Sequence, residues 1–355
     1  MPIEKIEMIN FRNHKNMVVD FSPGINIIWG ENGSGKTSIL EAVYILSNGK
    51  SFKTNKLTEA IKNGSTETTI RARFEKTTTT LHQAIGSPKK IKTNNTFKTT
   101  KDLIGKNPTV LVSPEEEKIT SGPHLERRKY FNRLYSNVSP AYLSNLIKYS
   151  SAVKNRNTLL KQRKTTKEVE VWNEPVAKYG SLIWLEKQNL EKSFNEELDF
   201  VCKKYNKNIT INIDSNTPEN PNKKDLLSAL ETSTNKDMLT KRTNSGPHTD
   251  KHDISFNNNN LRVYGSQGEH KLSFVIIKIT EHLFIKKQTG KNATLLLDDL
   301  FSKLDLKRGN AIFDLIKESA QTIITNTDLV GVEKHGIDIN NPNNKTKHLE
   351  RSWKN

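Results

Sequence analysis

The hydrophobic positions change their period along the chain, and each change predicts a change of architecture. Apolar residues alternate from Ile3 to Ile9 and from Met17 to Phe21, the two-residue period of strands covered on one face. Ile25-Asn26-Ile27-Ile28-Trp29 is nearly continuous, as in a strand covered on both faces. A glycine loop follows. Ile39, Leu40, Val43, Tyr44 and Leu46 then fall at helical spacing from Lys36 to about Asn48, with Gly49 placed for a left-handed cap. Residues 65–112 read as further short strands, the Thr77–Thr80 run among them, around a weakly ordered basic segment at 87–101.

From about Leu125 to Asn206 the pattern becomes helical, with few glycines and dense charge. Val176, Tyr179, Ile183, Leu190, Phe194, Leu198 and Val201 share one face of a long helix that Asn173 can cap, with Pro175 in its first turn. Such a stripe needs a partner helix, which predicts an antiparallel helical arm. Residues 207–245 are polar and read as a loop with one short helix at Lys224 to Leu230. After Leu261 the α/β alternation returns, with helices expected at 268–286 and 306–320, strands at 294–297 and 321–325, and a polar tail at 335–355. The predicted fold is an α/β head split in sequence, 1–118 and 245–355, with a helical arm at 119–244 inserted between its halves.

Composition narrows the function. A length of 355 residues exceeds one ordinary domain. Lys+Arg 56 against Asp+Glu 39 leaves +17, which suits a polyanionic partner, nucleic acid first. The single cysteine, Cys202, excludes an intrachain disulfide and an all-cysteine zinc site. The segment from Met1 to Glu7 carries acids and lacks the apolar centre of a secretory signal. No apolar run approaches the ~18 residues of a membrane span, so a soluble, cytoplasmic protein is expected.

The strongest chemical signal is Gly30-Glu31-Asn32-Gly33-Ser34-Gly35-Lys36-Thr37, followed by Ser38, which fits the Walker A pattern between an apolar strand and a helix. Its glycines let successive amides wrap phosphates at a helix N-terminus, Lys36 reaches the β and γ phosphates, and Thr37 is a magnesium ligand. Leu295-Leu296-Leu297-Asp298-Asp299 reads as a buried strand ending in two acids, a Walker B ending. Asp298 is then a second magnesium ligand and Asp299 a general base, although two acids after a strand can also cap a loop. Ser266-Gln267-Gly268-Glu269 precedes an amphipathic helix, where Ser266 is either an ordinary N-cap or part of a signature motif.

The order Walker A, helical insertion, Ser-x-Gly, Asp-Asp and Leu304-Asp305 is that of ATP-binding-cassette ATPases. More closely, the chain resembles the RecF family of bacterial recombination and gap-repair ATPases, related to SMC-type heads. The resemblance rests on Ile9-Asn10-Phe11-Arg12-Asn13, the Leu40–Thr54 flank, Ser121-Gly122-Pro123 with Arg127-Arg128, and Lys154-Asn155-Arg156-Asn157. It continues through Gly246-Pro247-His248, Ser266-Gln267-Gly268, and Asp298-Asp299 with Ser302 and Arg308.

The resemblance implies ATP and Mg2+ as cofactors, Arg12, Asn13 and Gly268 at the nucleotide, and Ser266 acting across an ATP-dependent homodimer. It further implies single- and double-stranded DNA at gap junctions as partner, with RecO, RecR and indirectly RecA, and no membrane. Arg127, Arg128, Lys129, Lys161, Arg163 and Lys164 are the expected phosphate contacts on the arm, each also readable as a solvated charge. Glu269, Thr249 and Lys303 depart from the family pattern, which keeps open a clamp with decayed hydrolysis. A transporter-associated ATPase is a further alternative. His248 and His252 with Asp250 and Asp253 lack the further ligands that a metal site requires.

Overall fold

The computed structural model describes residues 2–299 and 321–350. The helix expected at 306–320, and Ser302, Lys303, Leu304, Asp305 and Arg308, lie outside the described residues. The chain divides into two compact units, Met1–Glu117 with Val275–Asn355, and Lys118–Phe274.

In the first unit, β1 (Ile3–Phe11), β2 (His14–Asp20), β4 (Glu67–Phe74), β5 (Thr77–Ala84), β6 (Lys90–Thr93) and β7 (Thr96–Lys98) form a six-stranded antiparallel sheet, ordered β2-β1-β4-β5-β6-β7. A five-stranded parallel sheet, ordered β14-β3-β13-β12-β8, is built from β3 (Ile25–Trp29), β8 (Thr109–Val112), β12 (Thr294–Asp298), β13 (Thr322–Asn326) and β14 (Lys345–His348). The helix α1 (Lys36–Asn48) touches strands of both sheets and is buried at every position from Ser38 to Asn48. Its neighbours explain why: Ile6, Met8, Ile70 and Leu81 of one sheet and Leu111, Leu296 and Ile323 of the other share one core with Ile39, Leu40, Val43 and Leu46. A helix covered on both sides has no wet face, so it carries apolar residues nearly all round. Gly49 takes φ 66 and closes α1, its N–H donating to Ile45 O. The short α2 (Thr100–Leu103) follows the first hairpins.

Two expectations need correction in this unit. Residues 87–101 are ordered, because Asn94 and Asn95, at φ 47 and φ 63, turn β6 into β7 as a two-residue hairpin. Positive φ at both central positions is the turn whose twist matches paired strands, and asparagine tolerates it. The polar tail also contributes a strand: β14 pairs in parallel with β3, and Leu349 N donates to Trp29 O.

The second unit is mainly helical: α3 (Lys118–Ser121), α4 (His124–Val138), α5 (Pro140–Lys161), α6 (Thr166–Glu170), α7 (Asn173–Tyr205), α8 (Lys223–Thr232), α9 (Thr234–Thr240) and α10 (Leu261–Tyr264). α7 packs on α5 and α8 through the stripe read from the sequence, with Val176, Ile183, Leu190, Phe194, Leu198 and Val201 buried. Asn173 does not cap it; its Oδ1 accepts from Arg156 Nε at 2.9 Å, and Trp172 stands at the cap position. Arg156 is fully buried and also donates to Asp237 Oδ2 at 2.6 Å and Thr243 Oγ1 at 3.0 Å. A buried guanidinium requires such partners.

The stretch expected to be a loop contains a strand, β9 (Ile211–Ser215), with α8 covering the predicted short helix. β9 pairs with β10 (His252–Phe256), which turns through Asn257-Asn258 into β11 (Asn259–Asn260). This pairing joins residues after 245 to the helical unit. The helix α11 (Gln267–Thr289) begins in the second unit and runs into the first.

Burial holds two histidines neutral. Burial pushes His282 down to about 4 and His252 to about 2, the latter aided by the charges of Lys187, Arg128 and Arg127. The unfolded chain binds these protons below pH 6.5, so both groups support the fold above that pH and weaken it as pH falls toward 4. Urea denaturation between pH 7 and pH 4.5 should show His282→Gln losing less stability than the wild type. The expected difference is about 1.4 kcal/mol per pH unit below 6.5.

Candidate nucleotide site

The Walker A loop leaves β3 and enters α1. Its shape depends on glycine at two places: a Cβ on Gly30 would stand 2.2 Å from Leu349 O, and one on Gly35 would stand 2.4 Å from His14 Nε2. Both residues have positive φ, 144 and 95. Such a loop brings backbone amides and the N-terminus of α1 to one concavity, the geometry that suits phosphate. Lys36 Nζ donates to Gly30 O at 2.6 Å and Glu31 O at 2.9 Å. Burial lowers the Lys36 pKa, while Asp299 and Asp298 oppose that shift. Ser34 and Ser38 are buried beneath the loop, whereas Glu31, Asn32 and Gly33 face solvent.

The Walker B end lies two strands away, across β13. Thr37 Oγ1 donates to Asp298 Oδ1 at 2.9 Å, joining the two motifs across the sheet. Thr325 Oγ1 donates to the same oxygen at 2.7 Å. Burial raises the Asp298 pKa against the pull of these two hydroxyls and of Lys53. Asp299 follows in the left-handed region at φ 52. These oxygens are hard donors of the kind magnesium takes, so the residues present fit that ion. Thr37, Asp298 and Asp299 share a cleft of about 740 Å³ with Lys36, Arg12 and Asn13.

Arg12 and Asn13 reach the loop from the end of β1. Asn13 Nδ2 donates to Gly33 O at 3.3 Å, and His14 Nε2 lies 3.2 Å from Gly35 O. Arg12 grips Glu41 with both arms, Nε to Oε2 at 2.8 Å and Nη2 to Oε1 at 2.5 Å, and its Nη1 donates to Glu59 O. Glu41 is wholly buried in α1 and also accepts from Ser51 Oγ. A single carboxylate therefore fastens the β1 end, α1 and the segment after it. Glu41 and Ser51 belong to the flank that carries the family resemblance, but their pairing with Arg12 was not read from the sequence. Thr325 and Lys53 were also missed as cleft residues. Only the strand order β3-β13-β12 brings Thr325 between the two motifs.

In the second unit, Ser266 and Glu269 cap α11 reciprocally. Ser266 N donates to Glu269 Oε2 at 2.7 Å, and Glu269 N donates to Ser266 Oγ at 3.3 Å. This capping box satisfies two amides that a helix start leaves open. The bond from the Ser266 amide also holds the Glu269 carboxyl below its usual pKa. Glu269 thus has a structural role, and Gly268 lies in the first turn beside it.

The basic candidates on the arm separate by burial. Arg127 is 1% exposed, and its donors go to His252 O at 2.6 Å and Gly122 O at 2.8 Å, so it is a clamp between α4 and β10 rather than a surface base. The sequence motif could not distinguish it from its neighbour. Arg128 is half-buried and donates to Asp250 O at 2.6 Å. Lys129 is exposed and pairs with Glu126. Lys161, the last residue of α5, and Arg163 and Lys164 just after it are exposed; Arg163 has φ 54 and Lys164 lies 3.5 Å from Glu168. His248 bonds Tyr149 and Thr243 O, while Asp250 accepts from Trp184 and Lys187, so these two side chains serve the arm's interior. Among the described residues, no helix is long and apolar enough to cross a membrane.

The fold and the cleft together define an α/β P-loop ATPase head of the ABC type with an inserted helical subdomain. Residues 5–236 match the AAA domain family. The chain belongs to the RecF family of DNA replication and repair proteins. It is 35% identical over 351 residues to the DNA replication and repair protein RecF of Clostridium novyi, covering 94% of this chain and 95% of that one. RecF of Lachnoclostridium phytofermentans is 34% identical over 343 residues, with 93% of each chain covered. A solved structure of the recombination mediator protein RecF-ATP of the RecFOR pathway superposes with a TM-score of 0.86 at 29% identity, covering 94% of this chain and 95% of that one.

The Arg12–Glu41 pair gives a direct test. Glu41→Ala strands a mostly covered guanidinium, and removing one partner of such a pair costs about 3 kcal/mol. The urea midpoint should fall accordingly, whereas an unchanged midpoint would show that the pair does not brace the loop.

Proposed function

We propose that the chain binds ATP with Mg2+ in this cleft, dimerises through the bound nucleotide and closes on DNA, with slow hydrolysis releasing it. The observation that carries the reading is the Thr37–Asp298 hydrogen bond, which sets a Walker A hydroxyl and a Walker B carboxylate side by side. Loop amides and Lys36 would hold the phosphates, while Thr37 and Asp298 would hold the metal, which would supply neutralisation of phosphate charge. Asp299 takes the proton of the attacking water. Ser266 and the N-terminus of α11 meet the γ phosphate held by a second copy, so that ATP links two heads.

The +17 charge supports DNA as the partner, held by its phosphates and therefore sensitive to salt. Of the six arm candidates, Lys129, Lys161, Arg163 and Lys164 are exposed to solvent. In this reading the protein works in the cytoplasm as a weak DNA-dependent ATPase. It acts in recombinational gap repair with RecO and RecR, assisting RecA loading at junctions of single- and double-stranded DNA.

Fluorescence anisotropy on a gapped duplex, with and without Mg-ATP and at two salt concentrations, tests this reading. Lys36→Met and Ser266→Arg should each abolish ATP-dependent binding, the first by losing nucleotide and the second by blocking the second copy. Binding that ignores ATP and both substitutions would refute the clamp.

A further inference from the structure

We propose that Thr325 is a positioning residue that sets both Walker B acids, Asp298 toward the metal and Asp299 toward the attacking water. The inference rests on the nucleotide reading above. Thr325 stands at the end of β13, paired in register with Ile28 of β3 on one side and Asp298 of β12 on the other. It is 1% exposed. Its hydroxyl lies 2.7 Å from Asp298 Oδ1 and 3.2 Å from the Asp299 N–H. A hydroxyl has one proton and free lone pairs, so it donates to the carboxylate while accepting from the amide. The Asp299 N–H also points to Thr325 O at 3.2 Å.

Thr325 imposes two constraints, one through its hydroxyl alone and one through its hydroxyl together with its carbonyl. Thr37 and Thr325 both donate to Oδ1 of Asp298, fixing the carboxylate's rotation and leaving Oδ2 outside these two bonds. At Asp299, the two bonds from its amide hold a backbone at φ 52, a conformation that non-glycine residues adopt at a cost unless their surroundings impose it. Thr325 therefore determines where Asp299 can present its side chain. Valine would keep the branched shape and burial of Thr325 and remove only the hydroxyl, whereas serine would keep the hydroxyl and lose the methyl.

The test measures binding of a fluorescent ATP analogue across a Mg2+ titration, together with steady-state hydrolysis, in full-length wild type, Thr325→Val and Thr325→Ser. Partners that orient metal ligands are worth roughly 10–100-fold in metal affinity or activity when removed. Thr325→Val should raise the Mg2+ concentration for half-maximal effect about tenfold and lower kcat by a similar factor. Nucleotide affinity in EDTA and the melting temperature should stay near wild type. Thr325→Ser should restore the Mg2+ dependence.

An unchanged Mg2+ dependence in Thr325→Val overturns the inference. So does equal impairment in both variants accompanied by a lowered melting temperature, which would assign Thr325 to packing alone. A wild type that binds the analogue with no response to Mg2+, and no more tightly than Lys36→Met, would remove the nucleotide reading and this inference with it.

Discussion

The site depends on a helix that has no wet face. α1 is packed between an antiparallel and a parallel sheet, so its position is set from both sides, and the loop before it inherits that position. Lys36 and Thr37 are the first residues of this clamped helix. The end of Walker A that carries Lys36 and Thr37 is therefore held by core packing several turns long, a firmer support than a surface loop could supply. Gly30 and Gly35 complete the constraint from the other direction, since Leu349 O and His14 leave no room for a Cβ.

Buried charges in both units do a related job. Arg12 with Glu41, Lys278 with Glu116, Arg156 with Asp237 and Lys187 with Asp250 each join segments whose ionised groups are largely withdrawn from water. Such pairs add little net stability compared with apolar packing, but each is costly to break on one side. Arg127 belongs with them: its two carbonyl partners explain why a motif arginine lies inside the arm.

The Walker B acids combine both themes. Thr37 reaches Asp298 from one side and Thr325 from within the sheet, so the carboxylate is oriented by protein hydroxyls. At the start of α11, Ser266 and Glu269 use ordinary capping chemistry.

Much of this was legible in the chain alone. Short-range physics decides the strand at Ile25–Trp29, the glycine loop, the start of α1 and the stripe of α7, because each is written within a few residues as a period, a cap or a required positive φ. The same holds for the identity of Lys36, Thr37, Asp298 and Asp299. The Asn94-Asn95 and Asn257-Asn258 turns carry a readable signal too, since paired asparagines tolerate positive φ at both positions. Tertiary structure decided the rest. Nothing local pairs β14 with β3, buries Arg127 beside an exposed Lys129, or puts Thr325 between two motifs more than two hundred residues apart. Those outcomes depend on strand order and on which charges lose their water, and both are properties of contacts between segments distant in sequence.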